Sequence, residues 1–141
     1  MGFPLPDTEA PETSGFWTAA ASEKLAIPRC AKCGRWNWYP AAACPGCGST
    51  EMPWTETSGH GRLFSWTIVR HQLLAAYRPM LPYTTGIVTL EEDETVRIVT
   101  RIVEAEPELL RIGMAMRAVF RPLEIEGSPE GLLAPMFTPA L

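Results

Sequence analysis

Four cysteines in two matched pairs constrain the fold of this chain more than any other feature. The segments CAKCG at 30–34 and CPGCG at 44–48 contain all of them. A Cys-x-x-Cys turn directs two thiolates at one point, and the glycine that follows permits a positive φ. Two such turns facing each other place four sulfur atoms at the corners of a tetrahedron, as in a closed structural zinc site. The predicted metal ligands are therefore Cys30, Cys33, Cys44 and Cys47.

The cellular compartment helps to choose between a metal, disulfides and a redox-active dithiol. Residues 1–15 lack the basic and apolar regions of a secretory signal, and no apolar run approaches the ~20 residues of a membrane helix. We therefore expect a cytoplasmic protein, in which thiols stay reduced. A thioredoxin-like motif has one pair that opens a helix, whereas this chain has two pairs. A rubredoxin-type iron site uses the same turns and remains an alternative to zinc.

A metal held by four thiolates has no position left for water or substrate, so we expect it to stabilise the fold and not to catalyse. Thiolysis of an acyl-CoA needs a nucleophilic cysteine and a base, and no cysteine remains. The only histidines are His60, interpreted as an exposed loop residue, and His71, interpreted as structural. The acidic run at 91–94 is interpreted as a solvated hairpin turn. No catalytic residue is predicted.

The charge of the chain limits the classes of partner. The formal net charge is −4, which argues against the broad basic surface of a nucleic-acid-binding protein. All cationic residues except Lys24 and Lys32 are arginine. Arginine suits paired contacts with carboxylates and phosphates better than diffuse attraction.

Residue patterns divide the chain into an N-terminal arm and helix (1–26), a metal ribbon (27–51) and a β-rich region with a C-terminal tail (52–141). The last region has short runs of alternating or β-branched residues with glycine at the bends, which predicts a small antiparallel barrel. Its predicted strands are 62–71, 84–90, 95–103, 113–123 and 132–139. The whole is a mainly β protein.

Three local predictions accompany this division. Prolines keep the first twelve residues extended, and Thr13 or Ser14 caps a helix that runs to about Ala26. The aromatic stripe of this helix packs on its own fold or docks on another protein. The strand at 132–139 contains two prolines and should lie at an edge or leave the barrel. The apolar excursion at 72–83 caps the barrel, or faces a ligand or another chain.

The order of these motifs resembles a known family. The chain has a helix with Phe16-Trp17, a CxxC–x10–CPxCG ribbon, a GxGxLFSWTIV strand, a PYTTGIVTLEED hairpin and an RIGMAMRAVF segment. Together they are similar to the acyl-CoA-associated proteins that join a rubredoxin-like zinc ribbon to an OB-fold, over roughly 15–137. The resemblance implies a mainly β fold with an N-terminal helix, a rubredoxin-like zinc ribbon and a small antiparallel OB-fold barrel. It also implies structural Zn²⁺ on the four cysteines.

The same resemblance implies an accessory role. Members of this family accompany thiolases or lipid-transfer-protein-like aldolases, which act on acyl-CoA in the degradation of steroids, aromatic compounds and related compounds, or in polyketide-like acylation. The catalytic groups belong to the partner. The accessory subunit stabilises the partner and helps it to bind CoA. The expected state is a hetero-oligomer without nucleic-acid or membrane partners.

Candidate contacts with CoA and with the partner come from particular residues. Arg70, His71 and Arg78 flank or lie within the apolar excursion, and arginine binds phosphates in bidentate fashion. In the competing interpretation the excursion only packs on the partner. Aromatic residues and methionine are enriched in interface cores, so the predicted subunit interface comprises Phe16, Trp17, Trp36, Trp38, Tyr39, Met136 and Phe137.

Two other functions fit a chain with these motifs. Zinc ribbons and OB-folds also bind single-stranded nucleic acid, which needs a basic groove with stacking aromatic side chains. An iron-containing electron-transfer protein is the third hypothesis. Metal analysis and a visible spectrum separate it from a zinc protein.

Overall fold

The computed structural model describes residues 5–140. In this part of the chain one α-helix is followed by seven β-strands, which confirms the mainly β fold with an N-terminal helix. None of its helices is long and apolar enough to cross a membrane. The elements are α1 (Ser14–Ala21), β1 (Ala26–Pro28), β2 (Trp54–Glu56), β3 (His60–Val69), β4 (Tyr83–Leu90), β5 (Arg97–Ile102), β6 (Ala115–Pro122) and β7 (Leu133–Pro139), with short 3-10 helices at Ala75–Met80 and Pro107–Leu109.

Strands β3 to β7 form a closed barrel in the order β3-β4-β5-β7-β6. All neighbouring strands are antiparallel except β5 and β7, which are parallel where Ile102 meets Phe137. Along β4, every second residue is buried and the residues between are half-buried. This alternation is the period of two expected from TTGIVTL, and it places one face of the strand in the barrel core.

The C-terminal strand was expected at an edge, and that prediction is wrong. β7 lies between β5 and β6, and Phe137 is completely buried. The carbonyl oxygen of Phe137 accepts from Val103 N–H at 2.9 Å, so the odd-numbered backbone groups of β7 face β5. The backbone nitrogens of Pro135 and Pro139, which carry no hydrogen, therefore face β5. The two strands β5 and β7 pair through only one residue pair there. Proline is tolerated because no ladder hydrogen bond is lost there.

Helix α1 is shorter than predicted. It ends at Ala21 instead of about Ala26, because Glu23 takes a positive φ of 56° and Lys24 N–H donates back to Ala19 O at 3.0 Å. Residues 25–28 are all buried. A continuous buried run suits an extended segment packed on two sides better than a surface helix, and β1 accordingly pairs with β2.

The arm before the helix is not extended throughout. Asp7 Oδ1 accepts the N–H groups of Glu9 and Ala10 at 3.0 and 3.1 Å, which makes a turn. Thr13 occupies the N-cap position, but its hydroxyl donates to Asp7 O at 3.1 Å and does not cap the helix. The remainder of the predicted arm, at 1–4, lies outside the described residues.

One hydrophobic core joins the first part of the chain to the barrel. Leu25 and Ile27 belong to the same buried cluster as Leu63, Val88 and Phe137 of the barrel. Side chains from α1 and the ribbon pack against this cluster from outside. The ribbon therefore packs on the barrel through a shared apolar core, in addition to its covalent connection.

Gly61 of β3 lies close against the backbone of β4. A Cβ atom at this position would overlap the backbone oxygen of Thr89 and lie 2.8 Å from Val88 Cγ1. We expect Gly61→Ala to lower the free energy of unfolding by about 1–3 kcal/mol, because the backbone of β3 or β4 must shift to admit the methyl group. Urea denaturation measures the free energy of unfolding, and Thr67→Ala on the exposed side of β3 is the control. Equal effects of the two substitutions would contradict the close approach.

Candidate functional site

The structure brings together the four thiols that the sequence singles out. Their Sγ atoms all lie within 4.8 Å of one another. Two contacts join the turns: Cys30 Sγ to Cys47 Sγ at 3.5 Å, and Cys33 Sγ to Cys44 Sγ at 3.6 Å. Sulfur atoms around a tetrahedral zinc ion lie ~3.8 Å apart, since each Zn–S bond is about 2.3 Å. The donor set therefore fits one tetrahedral ion with no further ligand.

The two turns have the same backbone geometry. Cys30 O accepts from Gly34 N–H at 2.9 Å, and Cys44 O accepts from Gly48 N–H at 2.8 Å. Both glycines have positive φ, 79° and 77°. A side chain at either position would be strained in this conformation, which is why glycine follows each Cys-x-x-Cys pair.

The thiols have unequal proton affinities. The backbone N–H of Cys33 is the main cause that lowers the pKa of Cys30 to about 6. The backbone N–H of Arg35 acts to lower the pKa of Cys33, but burial and the neighbouring thiols outweigh it and raise that pKa to about 11. Burial acts to raise the pKa of Cys44, but backbone N–H groups of its own turn and the Cys33 thiol lower it overall. Because adjacent thiolates repel each other, full ionisation of the cluster requires a cation.

Asn37 is a component of the cluster that sequence reasoning missed. Its side chain is buried, and Nδ2 approaches Cys44 Sγ at 3.9 Å while donating to Met52 Sδ at 3.3 Å and to Arg35 O at 3.0 Å. An amide N–H aimed at a thiolate orients the ligand and stabilises its charge. The available signal was a single amide inside the aromatic run WNWY.

Removing this amide is expected to weaken metal binding. We expect Asn37→Leu to lower zinc affinity by about 10-fold, the lower end of the effect of losing an outer-shell partner. Competition with a chromophoric chelator measures the affinity. Gln72→Leu, which removes an exposed amide far along the chain, is the control. Equal affinities of the wild-type protein and Asn37→Leu would show that Asn37 only fills space.

Two residues of the predicted interface belong to the core. Phe137 has no exposed surface and Met136 is 6% exposed, so neither can contact a partner. They are buried because β7 closes the barrel. The prediction that the C-terminal tail forms part of the interface is therefore wrong.

The aromatic residues of the helix and ribbon pack mainly within the chain. Phe16 lies between Trp17 and Trp38, with ring centroids 5.3 Å from each. Trp36 lies under the Arg29 guanidinium at 4.8 Å. Tyr39 is the exception, with 68% of its surface exposed. Packing on the chain's own fold thus accounts for most of the stripe on α1.

The residues proposed for CoA lie on one exposed segment. Arg70 and His71 directly follow β3, and Arg78 lies in the 3-10 helix Ala75–Met80. Among the described residues, none of these three side chains has an ion pair or a hydrogen bond. The same segment carries the exposed side chains of Leu73 and Leu74. The structure thus brings cationic and apolar groups together on a surface open to a ligand or a protein.

The described residues hold no second metal-ligand cluster and no hydroxyl or thiol group hydrogen-bonded to an imidazole. The thiol group is the one set of three or more His, Cys, Asp or Glu side chains close enough to share an ion in residues 5–140. Glu91 and Glu92 accept hydrogen bonds from Ser58, which ties the β4–β5 turn to the β2–β3 connection. His60 is exposed and lines an open cleft of about 470 Å³ with residues of both charges. The two glutamates therefore have a structural role, whereas the His60 imidazole has no hydrogen-bond partner among residues 5–140.

Comparison with known proteins places this geometry in a family. The family model of the ChsH2 rubredoxin-like zinc ribbon domain matches residues 17–53, and that of the ChsH2 C-terminal OB-fold domain matches residues 54–121. A DUF35 domain-containing scaffold protein from Methanocaldococcus jannaschii is 34% identical over 100 residues, which span 70% of this chain and 69% of the relative. The chain belongs to the ChsH2 (DUF35) family. The expected zinc ribbon and OB-fold are thereby confirmed.

Relatives within the ChsH2 (DUF35) family differ in length. The "Probable enoyl-CoA hydratase alpha subunit" of Thermomonospora curvata is 33% identical over 129 residues, which span 91% of this chain. The aligned part is 38% of that relative's length. A DUF35 domain-containing scaffold protein from Pyrococcus furiosus is 33% identical over 90 residues, 64% of this chain and 63% of the relative.

Solved structures share the fold along nearly the whole chain. A chain of the Ltp2-ChsH2(DUF35) aldolase superposes with a TM-score of 0.80 and 30% identity, covering 99% of this chain and 100% of that one. A DUF35-family protein of unknown function from Sulfolobus solfataricus has a TM-score of 0.60 and 16% identity, covering 95% and 89%. The second match shows only that the fold is common to distant members.

Proposed function

We propose that this chain is a non-catalytic accessory subunit of a heteromeric complex whose catalytic subunit is a thiolase or a lipid-transfer-protein-like aldolase acting on acyl-CoA. The observation that carries the proposal is the similarity to a chain of the Ltp2-ChsH2(DUF35) aldolase over the whole of both chains. The scaffold name of the archaeal relatives supports an accessory role. The hydratase name of the Thermomonospora curvata relative supports a substrate linked to CoA. The proposed setting is the breakdown of steroid side chains or aromatic compounds.

The chemistry of the chain's own residues supports a non-catalytic role. All four cysteines lie in the thiol cluster, so thiolysis has no free nucleophile. Neither His60 nor His71 has a side-chain partner among the described residues that would hold its imidazole in place as a base. The catalytic groups would therefore come from the partner.

We further propose Cys30, Cys33, Cys44 and Cys47 as ligands of one structural Zn²⁺. The ion would cross-link two turns that otherwise have little apolar burial, and it would offer no open position. Elemental analysis of the purified protein should find about one zinc per chain. A visible thiolate–iron absorption band with stoichiometric iron would favour the electron-transfer alternative.

CoA contact by Arg70, His71 and Arg78 completes the proposal. Their exposed, unpaired side chains next to Leu73 and Leu74 suit the phosphates and the apolar arm of CoA. With the catalytic subunit in saturating excess, Arg78→Ala should raise the KM for acyl-CoA and leave kcat nearly unchanged, because only CoA binding is then affected. An unchanged KM would remove Arg78 from the site.

Isolation of the native complex tests the accessory role. The chain, tagged in its source organism, is expected to co-purify with a thiolase-like or lipid-transfer-protein-like subunit identified by mass spectrometry. Thiolysis or retro-aldol cleavage of acyl-CoA should require both proteins. Turnover by the purified chain alone would overturn the non-catalytic role, and recovery of no such subunit would overturn the accessory role.

A further inference from the structure

Charge is distributed unevenly along the chain. The segments 57–90 and 96–103 contain no aspartate or glutamate. They carry five of the 12 cationic residues. The rest of the chain carries the other seven and all 16 acidic residues. The five are Arg62, Arg70, Arg78, Arg97 and Arg101.

These segments form one side of the barrel. Cross-strand partners in a sheet point to the same face. Ile87 of β4 pairs with Ser65 of β3 and with Val99 of β5. One step along, Thr85 pairs with Thr67 and with Arg101. We name the outward-facing residues of β3, β4 and β5 the outer sheet face.

The outer sheet face has exposed apolar groups at its centre. Val99 is 60% exposed and Phe64 is 43% exposed, and the Arg97 guanidinium lies 4.3 Å from the centre of the Phe64 ring. Helix α1 packs against β1, β2 and β7, and so covers a different side of the barrel. Exposed apolar groups ringed by polar ones mark interaction surfaces.

The segment 70–82 extends this face at the end where β4 begins. Arg101 Nη1 lies 3.6 Å from Met80 Sδ, and its guanidinium lies 5.8 Å from the Tyr83 ring. Tyr77 and Tyr83 are in contact, with ring centroids 5.7 Å apart. These contacts hold the segment against the sheet, while Leu73, 78% exposed, points to solvent. The sheet and the segment thus form one continuous surface.

The arginines of this surface have no carboxylate partner among residues 5–140. The ion pairs among residues 5–140 are Lys24–Glu56 and Arg121–Glu104, both elsewhere. Glu94 lines the depression beside Arg97 without forming an ion pair. The described residues thus leave the guanidinium groups around this apolar centre without a carboxylate, which a partner can supply.

We propose that the outer sheet face, with the segment 70–82, is the docking surface for an acidic, apolar-centred surface of the catalytic subunit. This rests on the proposed function, which supplies the partner. Arginine, tyrosine and methionine around exposed aliphatic side chains match the composition of interface cores. Carboxylates on the partner would complement the arginines and fix the orientation of docking.

Two other occupants match the surface less well. In a two-fold dimer of this chain the surface would face itself, and arginine would meet arginine. Single-stranded nucleic acid needs accessible aromatic rings. The Tyr83 ring is flanked by Tyr77 and Arg101, and the Phe64 ring is covered by Arg97. The most exposed apolar residues of this surface, Leu73 and Val99, are aliphatic.

Affinity measurements on the complex test the docking surface. The catalytic subunit that co-purifies with the wild-type chain is titrated with Leu73→Asp and Arg78→Glu, which change the apolar and the cationic parts separately. Each variant is expected to bind about 10-fold or more weakly. The matched controls Leu109→Asp and Arg117→Glu alter exposed residues outside the surface and should bind within about 2-fold of wild type. Zinc content and Tm should be unchanged in all four.

The salt dependence tests the predicted charge of the partner. Binding of the wild-type chain should weaken as NaCl rises from about 50 to 500 mM, and Arg78→Glu should reduce this dependence. If both variants bind like their controls, the docking surface is wrong although the complex stands. If the wild-type chain binds no catalytic subunit, the proposed function and the docking surface fall together. Self-association abolished by Leu73→Asp, or oligonucleotide binding abolished by Arg78→Glu, would assign the surface to another occupant and overturn the proposal.

Discussion

Replacing Cys44 with serine is expected to weaken metal binding and destabilise the ribbon. Cys44 is 2% exposed, and its thiol contacts Cys33 across the cluster. Structural zinc contributes about 10–16 kcal/mol in small zinc domains, so one ligand of four accounts for on the order of 3 kcal/mol. For a chain of this size that corresponds to a loss of about 10 °C in Tm. Zinc content after dialysis against a chelator and thermal unfolding by circular dichroism measure both effects.

The loss should extend beyond the ribbon. Leu25 and Ile27 lie immediately before the first turn and belong to the barrel core, so their loosening also weakens the barrel. Ala43→Ser introduces the same hydroxyl at the neighbouring exposed position and should leave zinc content and Tm unchanged. Retention of one tightly bound zinc by Cys44→Ser, or a folded wild-type chain that contains no metal, would contradict a four-thiolate structural site.

Replacing Phe137 with alanine is expected to be comparably damaging through a different cause. The side chain is fully buried where β7 meets β5, between the two sides of the barrel. Truncation of a buried phenylalanine costs about 3–5 kcal/mol through lost burial and the cavity left behind. This is a large share of the 5–15 kcal/mol typical of a whole domain. The free energy of unfolding from urea denaturation measures the effect.

Phe64→Ala provides the matched control. Phe64 lies on the outer sheet face and is 43% exposed, with Arg97 over its ring. Its truncation should cost about 1 kcal/mol, mostly through the lost cation–π contact. Were the C-terminal strand outside the barrel, as its two prolines suggested, Phe137→Ala would cost no more than Phe64→Ala.

The features that could be predicted from the sequence are those that depend on neighbouring residues. The spacing of Cys30 and Cys33, repeated at 44–48, places two sulfurs of each turn together, and the following glycine adopts the φ that the turn requires. The alternation in β4 likewise follows from the pleat of a strand. Because these patterns are local, the metal cluster and the strands of the barrel can be predicted without knowledge of tertiary contacts.

The features that were missed depend on residues far apart along the chain. Asn37 reaches the cluster because the ribbon folds back over Met52, and nothing near Asn37 in the sequence indicates which sulfur it approaches. The alternating pattern of β5 indicates that Arg101 points outward, but it does not indicate that Met80 of the excursion lies beside it. Both contacts require the path of a second segment in space.

Local sequence patterns were sufficient to predict the thiol cluster and the order of helix, ribbon and barrel strands, and the resemblance of the motifs indicated the family. Tertiary structure alone decided where the chain ends its helix, that β7 closes the barrel with Phe137 inside, and which arginines share one face. The physical reason is the range of the interactions. Turn geometry and strand alternation are set by residues adjacent along the chain. Burial and strand pairing depend on which of many distant segments packs against a given residue. A proline pattern that indicates an edge locally becomes acceptable inside a barrel when the neighbouring strand needs no hydrogen bond there.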